Sequence, residues 1–120
     1  MDTLTRSFFP QRRFFANETI FEEGDSAAQA YLVDLGLVEI SKQRGSRRVV
    51  LGRVKPGGIF GEMALVDDAP RMARAMAVAD TVCFVIEREN IRAKIEAADP
   101  LMQALLRIFV RNIRSLASER

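Results

Sequence analysis

Residues 60–71 read FGEMALVDDAPR, with Glu62 nine residues ahead of Arg71 and a proline just before the arginine. A carboxylate accepts hydrogen bonds and a guanidinium donates them through a planar fork. The pair can therefore hold each other, or hold two sides of one small molecule. The run GIFGEMAL (58–65) passes from a strand end through Gly61 into good helix formers, which marks a strand-to-helix junction. The first amides of a helical turn have no partner within it, and a glycine there lets a ligand approach the backbone. Such a junction suits an anion, and Arg71 suits the same anion. Glu62 would repel that anion unless it accepts from a hydroxyl on the same ligand. An anion and a hydroxyl held close together describe a sugar phosphate. The plain alternative is an ordinary Glu62–Arg71 ion pair that braces a loop.

Other chemistries lack their residues. The chain has no histidine and a single cysteine, Cys83. Imidazole acid–base catalysis, Ser–His or Cys–His nucleophiles and histidine-held metals are thereby excluded within it. One cysteine forms neither an intrachain disulfide nor a four-cysteine cluster. Lying in TVCFVI, Cys83 reads as a small buried hydrophobe. No catalytic residue, metal ligand or cofactor is expected, and the chain is not expected to be an enzyme. A net charge of +2 is too small to point to nucleic acid, and no apolar run approaches the roughly 18 to 20 residues of a membrane span. A cytoplasmic protein with no membrane or nucleic-acid contact is the expectation.

These side chains need a scaffold. At 120 residues, 48% hydrophobic and 28% charged, the chain suits one domain with one core. After a lead-in over residues 1–11, short apolar runs alternate with turn signals. RRFFA and TIFEE flank Asn17; Gly24 breaks EEGD; Gly36 separates AYLVDLG from LVEISK; QRGS precedes RRVVLGRV; KPGG interrupts again. Many short strands with no helix until late imply a β-sandwich, a jelly roll or a small barrel. Alanines at 73, 75, 77 and 79 share one strand face, and their small size leaves room for a ligand or for a closely packed neighbour. The period then changes. RENIRAKIEAA predicts a short helix, and Asp99-Pro100 predicts the start of a second. Met102, Leu105, Phe109, Ile113 and Leu116 form one stripe on that helix. Leu101, Leu106, Ile108 and Val110 widen it, which suits two partners, the helix's own β-domain and a second chain; the plain alternative is a terminal helix packed wholly on its own core.

The segment FGEMALVDDAPRMA resembles the phosphate-binding cassette of the cyclic nucleotide-binding domain family, which includes bacterial catabolite activator proteins and protein kinase A regulatory subunits. FFANETIFEEGDSAAQAYLVDLGLVEI is similar to that family's opening G-x-x-I-x-x-x-G-D run, with Asn17 for the usual glycine, and LGRVKPGGIFGE to its approach to the cassette. The resemblance covers residues 13 to about 98. It implies a mainly β fold: an eight-stranded, jelly-roll-like β-roll over 12–87, the cassette with its short helix at 60–73, and two C-terminal helices over 88–120. It implies that Arg71 pairs with the cyclic phosphate and that Glu62 holds the ribose 2′-hydroxyl. Phe60, Gly61, Met63, Ala64, Met72 and Ala73 would complete the ligand site, amides near the two ends of the cassette cradling the phosphate. The family commonly has Ala, Ser or Thr after the arginine and Ser or Thr two residues later; here these are Met72 and Arg74. Members that prefer cyclic GMP often carry a threonine at Met72's position, so cyclic AMP is the favoured ligand. A homodimer through the last helix is implied as well. Two functions follow: a cyclic nucleotide sensor that signals through its terminal helices, or a ligand-free interaction module of the same fold.

Overall fold

The structure, a computed structural model, describes residues 9–119. The lead-in expected over residues 1–11 falls, up to residue 8, outside the described residues. Eight strands follow: β1 (Gln11–Phe14), β2 (Thr19–Phe21), β3 (Gln29–Leu35), β4 (Val38–Arg44), β5 (Arg47–Val54), β6 (Ile59–Phe60), β7 (Arg74–Ala77) and β8 (Thr81–Glu87). A four-residue 3-10 turn (Glu62–Leu65) lies between β6 and β7, and two helices close the chain, α1 (Arg88–Glu96) and α2 (Pro100–Glu119). The strands form two antiparallel four-stranded sheets, ordered β1-β8-β3-β6 and β2-β7-β4-β5. This is the expected eight-stranded β-roll followed by two helices.

Successive strands switch sheets at nearly every step, and β4–β5 is the one hairpin within a sheet among the described residues. Each switch needs a sharp turn. Asn17 (φ 72°) makes the β1–β2 turn, and Gly36 (φ 98°) carries the chain from β3 to β4. Both sit where most side chains are strained, and Asn and Gly tolerate it.

The strands alternate as a half-buried sheet should. Ala75 and Ala77 point inward from β7 while Arg74 and Met76 point away. Between the sheets Phe14, Tyr31, Val33, Val38, Phe60, Ala75, Ala77, Cys83 and Val85 form the core. Cys83 is fully buried, and burial pushes its thiol up to about 11, so it stays protonated at neutral pH. Of the four alternating alanines, Ala73, Ala75 and Ala77 are buried, whereas Ala79 is exposed.

The Asp99 side chain accepts the Leu101 amide at 2.8 Å, with Pro100 as the first helical residue of α2. The expected stripe is split between the roll and the outer surface. Met102, Phe109, Ile113 and Leu116 are exposed, together with Leu101 and Ile108. Five residues spaced by three and four, Gln103, Leu106, Val110, Arg114 and Ala117, are half-buried or buried, with Leu105 also half-buried and with Ile113 and Leu116 lining a hollow against Leu51 and Met72 of the roll. Two of these five are polar, so apolar periodicity alone could not find this face. No helix among the described residues is long and apolar enough to cross a membrane.

Candidate functional site

Tyr31 and Phe60, on neighbouring strands, stack with ring centroids 5.2 Å apart, and Phe21 lies 6.1 Å from Phe60. Phe21 and Phe60 line a cavity of about 280 Å³ together with Ile40, Leu51–Val54 of β5, the rest of 59–63, Met72 and Ala73. That volume is near the lower edge of the roughly 300–1,000 Å³ typical of small-molecule sites. The walls are mainly apolar, and Glu62 and Arg53 are the charged side chains among the lining residues.

Arg71 sits just behind Gly61, 8% exposed. Its guanidinium lies 4.0 Å from the centre of the Phe21 ring, donates from Nη2 to the Gln29 carbonyl at 2.7 Å, and donates from Nη1 to the Gly61 carbonyl at 3.2 Å. Burial lowers its pKa, opposed by Tyr31 and Asp25. The backbone holds it from both sides: the Arg71 amide donates to the Asp25 carbonyl, and its own carbonyl accepts from the Gly24 amide. This explains why EEGD and the cassette both have their place in one site: the first turn clamps the arginine of the second.

Gly61 is required twice over. Its φ of 73° is left-handed, and a Cβ there would lie 2.7 Å from Arg71 Nη1. The 3-10 turn starts immediately after it, so the leading amides of Glu62 and Met63 have no acceptor within the turn.

Glu62 and Arg71 do not form the ion pair of the plain alternative. Arg71 bonds two carbonyls instead, leaving Nε buried without a partner, and Glu62 Oε2 is likewise buried without a partner. Burying an unsatisfied polar atom costs about 1–3 kcal/mol, and more for a charged group. Native structures rarely keep such groups without a use. Of these two atoms, Glu62 Oε2 belongs to the cavity wall and Arg71 Nε lies behind Gly61.

The structure places Phe60, Gly61, Glu62, Met63, Met72 and Ala73 on the cavity wall. It places neither Ala64 nor Arg71 there, Arg71 lying behind Gly61. Ala64 is buried, and its amide donates to the Gly61 carbonyl at 3.3 Å, because the 3-10 turn uses its third amide internally. Arg74 points to the opposite face of β7 and pairs with Glu22 at 3.4 Å, away from any anion in the cavity. Sequence reading missed Phe21, Ile40, Leu51, Val54 and Ile59 as walls. For Phe21 a local signal existed, an aromatic residue directly before EEGD. For the others nothing local marks a wall.

Residues 11–98 match the family model described as the cyclic nucleotide-binding domain. The chain is 33% identical over 112 residues to the cyclic AMP receptor protein of Thermus thermophilus, covering 92% of this chain and 52% of that protein. It is 30% identical over 83 residues to the cyclic AMP-dependent protein kinase regulatory subunit of Blastocladiella emersonii, covering 68% and 21%. It thus spans about half the length of the first relative and a fifth of the second. Among solved structures, an EAL enzyme in a cyclic AMP-bound form superposes with a TM-score of 0.84 at 28% identity, covering 88% of this chain and 28% of that one. The catabolite activator protein of Thermus thermophilus superposes with a TM-score of 0.75 at 32% identity, covering 97% and 55%.

Proposed function

Because the chain belongs to the cyclic nucleotide-binding domain family, we propose that its cavity takes cyclic AMP and that the two terminal helices pass the occupied state to a partner. The observation that carries this reading is Glu62 Oε2, buried without a partner on the wall of a mainly apolar cavity, with Arg71 Nε likewise unpartnered behind Gly61. A cyclic nucleotide supplies a partner for each. Its ribose hydroxyl donates to Glu62, its cyclic phosphate accepts from Arg71 and from the leading amides of the turn, and its base takes the apolar remainder. Relatives named for cyclic AMP support that ligand over cyclic GMP, whereas the EAL enzyme is solved with either nucleotide. Met72 supports it too, since it presents no hydroxyl to a guanine edge. The domain is a cytoplasmic binding module rather than a catalyst in this reading, and it needs no cofactor.

Thermal denaturation with and without nucleotide tests the proposal. At 100 times the dissociation constant, cyclic AMP should add about 2.7 kcal/mol of stability. If saturating cyclic AMP and cyclic GMP both leave the melting temperature unmoved, the chain is an interaction module of the same fold.

The exposed stripe of α2 supports a homodimer. Leu101, Met102, Ile108 and Phe109 are each at least 42% exposed and lie off the hollow that Ile113 and Leu116 share with the roll. Side chains of this kind along one helix suit pairing with a second copy. Light scattering should give twice the chain mass, and Phe109→Glu should return the mass to that of one chain. A wild-type monomer at 100 μM would rule the dimer out.

A further inference from the structure

Helix α2 is lightly held. Among its residues with described side chains only Val110 is buried, and much of its apolar surface faces outward. Two polar ties supplement that packing. Arg44 of β4 donates from Nη2 to the Ala117 carbonyl at 2.7 Å, near the end of the helix. Arg114 grips the segment just ahead of Arg71: Nε donates to Asp67 Oδ2 at 2.8 Å, Nη2 to Asp67 Oδ1 at 3.0 Å, and Nη1 to the Pro70 carbonyl at 3.1 Å. The Asp67 carboxylate also accepts the Ala69 amide at 3.2 Å, so it organises the loop that it ties to the helix. Both partners are mostly buried, where a bidentate guanidinium–carboxylate pair is stronger than at an open surface.

The clasp lies beside the ligand cavity. A smaller apolar hollow of about 210 Å³ runs between the roll and α2, lined by Leu51, Met72, Ile113, Leu116 and Ala117. Leu51 and Met72 also line the main cavity. Arg114 therefore holds Ile113 and Leu116 next to Met72, and it fixes the carbonyl of the residue before Arg71.

We propose that Arg114, acting through Asp67 and the Pro70 carbonyl, is the positioning residue by which α2 sets how long a cyclic nucleotide stays bound. Arg114 is not among the residues that line the main cavity. It favours the docked helix and the seated Arg71 together, so ligand binding and helix docking strengthen each other. This rests on the cyclic nucleotide reading above.

The test uses the whole chain with Arg114→Gln, Asp67→Asn and the double variant; Asp67→Asn keeps an acceptor for the Ala69 amide. Stopped-flow dissociation of a fluorescent cyclic AMP analogue should be about tenfold faster in each single variant, with the association rate changed less than twofold. The double variant should be no faster than either single one, as a shared interaction requires. Independently of any ligand, hydrogen exchange in the free protein should quicken in both 66–71 and 111–117 in every variant. Unchanged exchange overturns the clasp even if the wild type binds no nucleotide. Tight wild-type binding with unaltered or purely additive dissociation rates overturns it while leaving the ligand assignment standing. Failure of the wild type to bind removes the ligand assignment and, with it, the role in residence time.

Discussion

Arg71→Ala should weaken cyclic AMP binding at least tenfold while the protein stays folded. A guanidinium has five N–H donors. Two of Arg71's terminal donors are used on the Gln29 and Gly61 carbonyls, and Nε is without a partner. Arg71 therefore keeps donors for a phosphate beyond those its internal bonds use. Each charge-assisted bond contributes about 1.5–3 kcal/mol, so one lost bond accounts for about tenfold and a bidentate contact for roughly a hundredfold or more. The fold should survive because two effects oppose. Alanine leaves two carbonyls without a donor, but it removes a buried cation that forms no salt bridge among the described residues. Arg71→Lys keeps the charge without the fork and should fall between. Glu62→Gln should cost less than Arg71→Ala, since an amide oxygen still accepts from a hydroxyl. Isothermal calorimetry decides: unchanged affinity in folded Arg71→Ala would reject the assignment.

Gly36→Ala should destabilise the protein by about 3–5 kcal/mol, a large part of the roughly 5–15 kcal/mol typical of a domain. At φ 98° a side chain is strained in any surroundings, and here there is no room for one. A Cβ would lie 2.5 Å from the Asp80 carbonyl oxygen and 2.7 Å from Thr81 Cα, and it would also meet Thr81 Oγ1. Backbone cannot step aside cheaply. Thr81 is pinned in turn, buried with its hydroxyl accepting the Leu37 amide at 3.2 Å and donating to the Ala79 carbonyl at 2.8 Å. Gly45, with φ 61° and nothing within 4 Å of a Cβ, is the control. Gly45→Ala carries conformational strain alone, about 1 kcal/mol. Urea denaturation of both variants separates the terms. Equal losses at the two glycines would mean that β3, β4 and the turn into β8 do not meet as closely as described.

Much of the architecture was legible because its signals are local. Asn17, Gly24, Gly36 and Gly45 each adopt positive φ at a break between strands, and a residue's tolerance of that conformation belongs to its own chemistry. Asp99-Pro100 announced α2 through groups one or two residues apart. The cassette was legible for the same reason: its glycine, turn and arginine form a compact run that resembles a known family.

Contacts between distant segments were not legible. Periodicity found an apolar stripe on α2 but not which face meets the roll, because Arg114 and Gln103 share the inner face with Val110. The partners of Arg71 are two carbonyls and a phenyl ring, and carbonyls are common to every residue. The alternating alanines posed a choice between ligand space and close packing. The roll divides them: Ala73 lines the cavity, and Ala75 and Ala77 pack in the core.

Residue order alone thus specified turns, helix starts, the sheet-rich class and the short run that holds Glu62, Gly61 and Arg71. Folding alone decided that Glu62 and Arg71 stay apart, that Arg71 lies against Phe21, and that Arg114 reaches Asp67. The first set depends on backbone torsions and neighbours along the chain. The second depends on which remote surfaces come together when the two sheets close over one core.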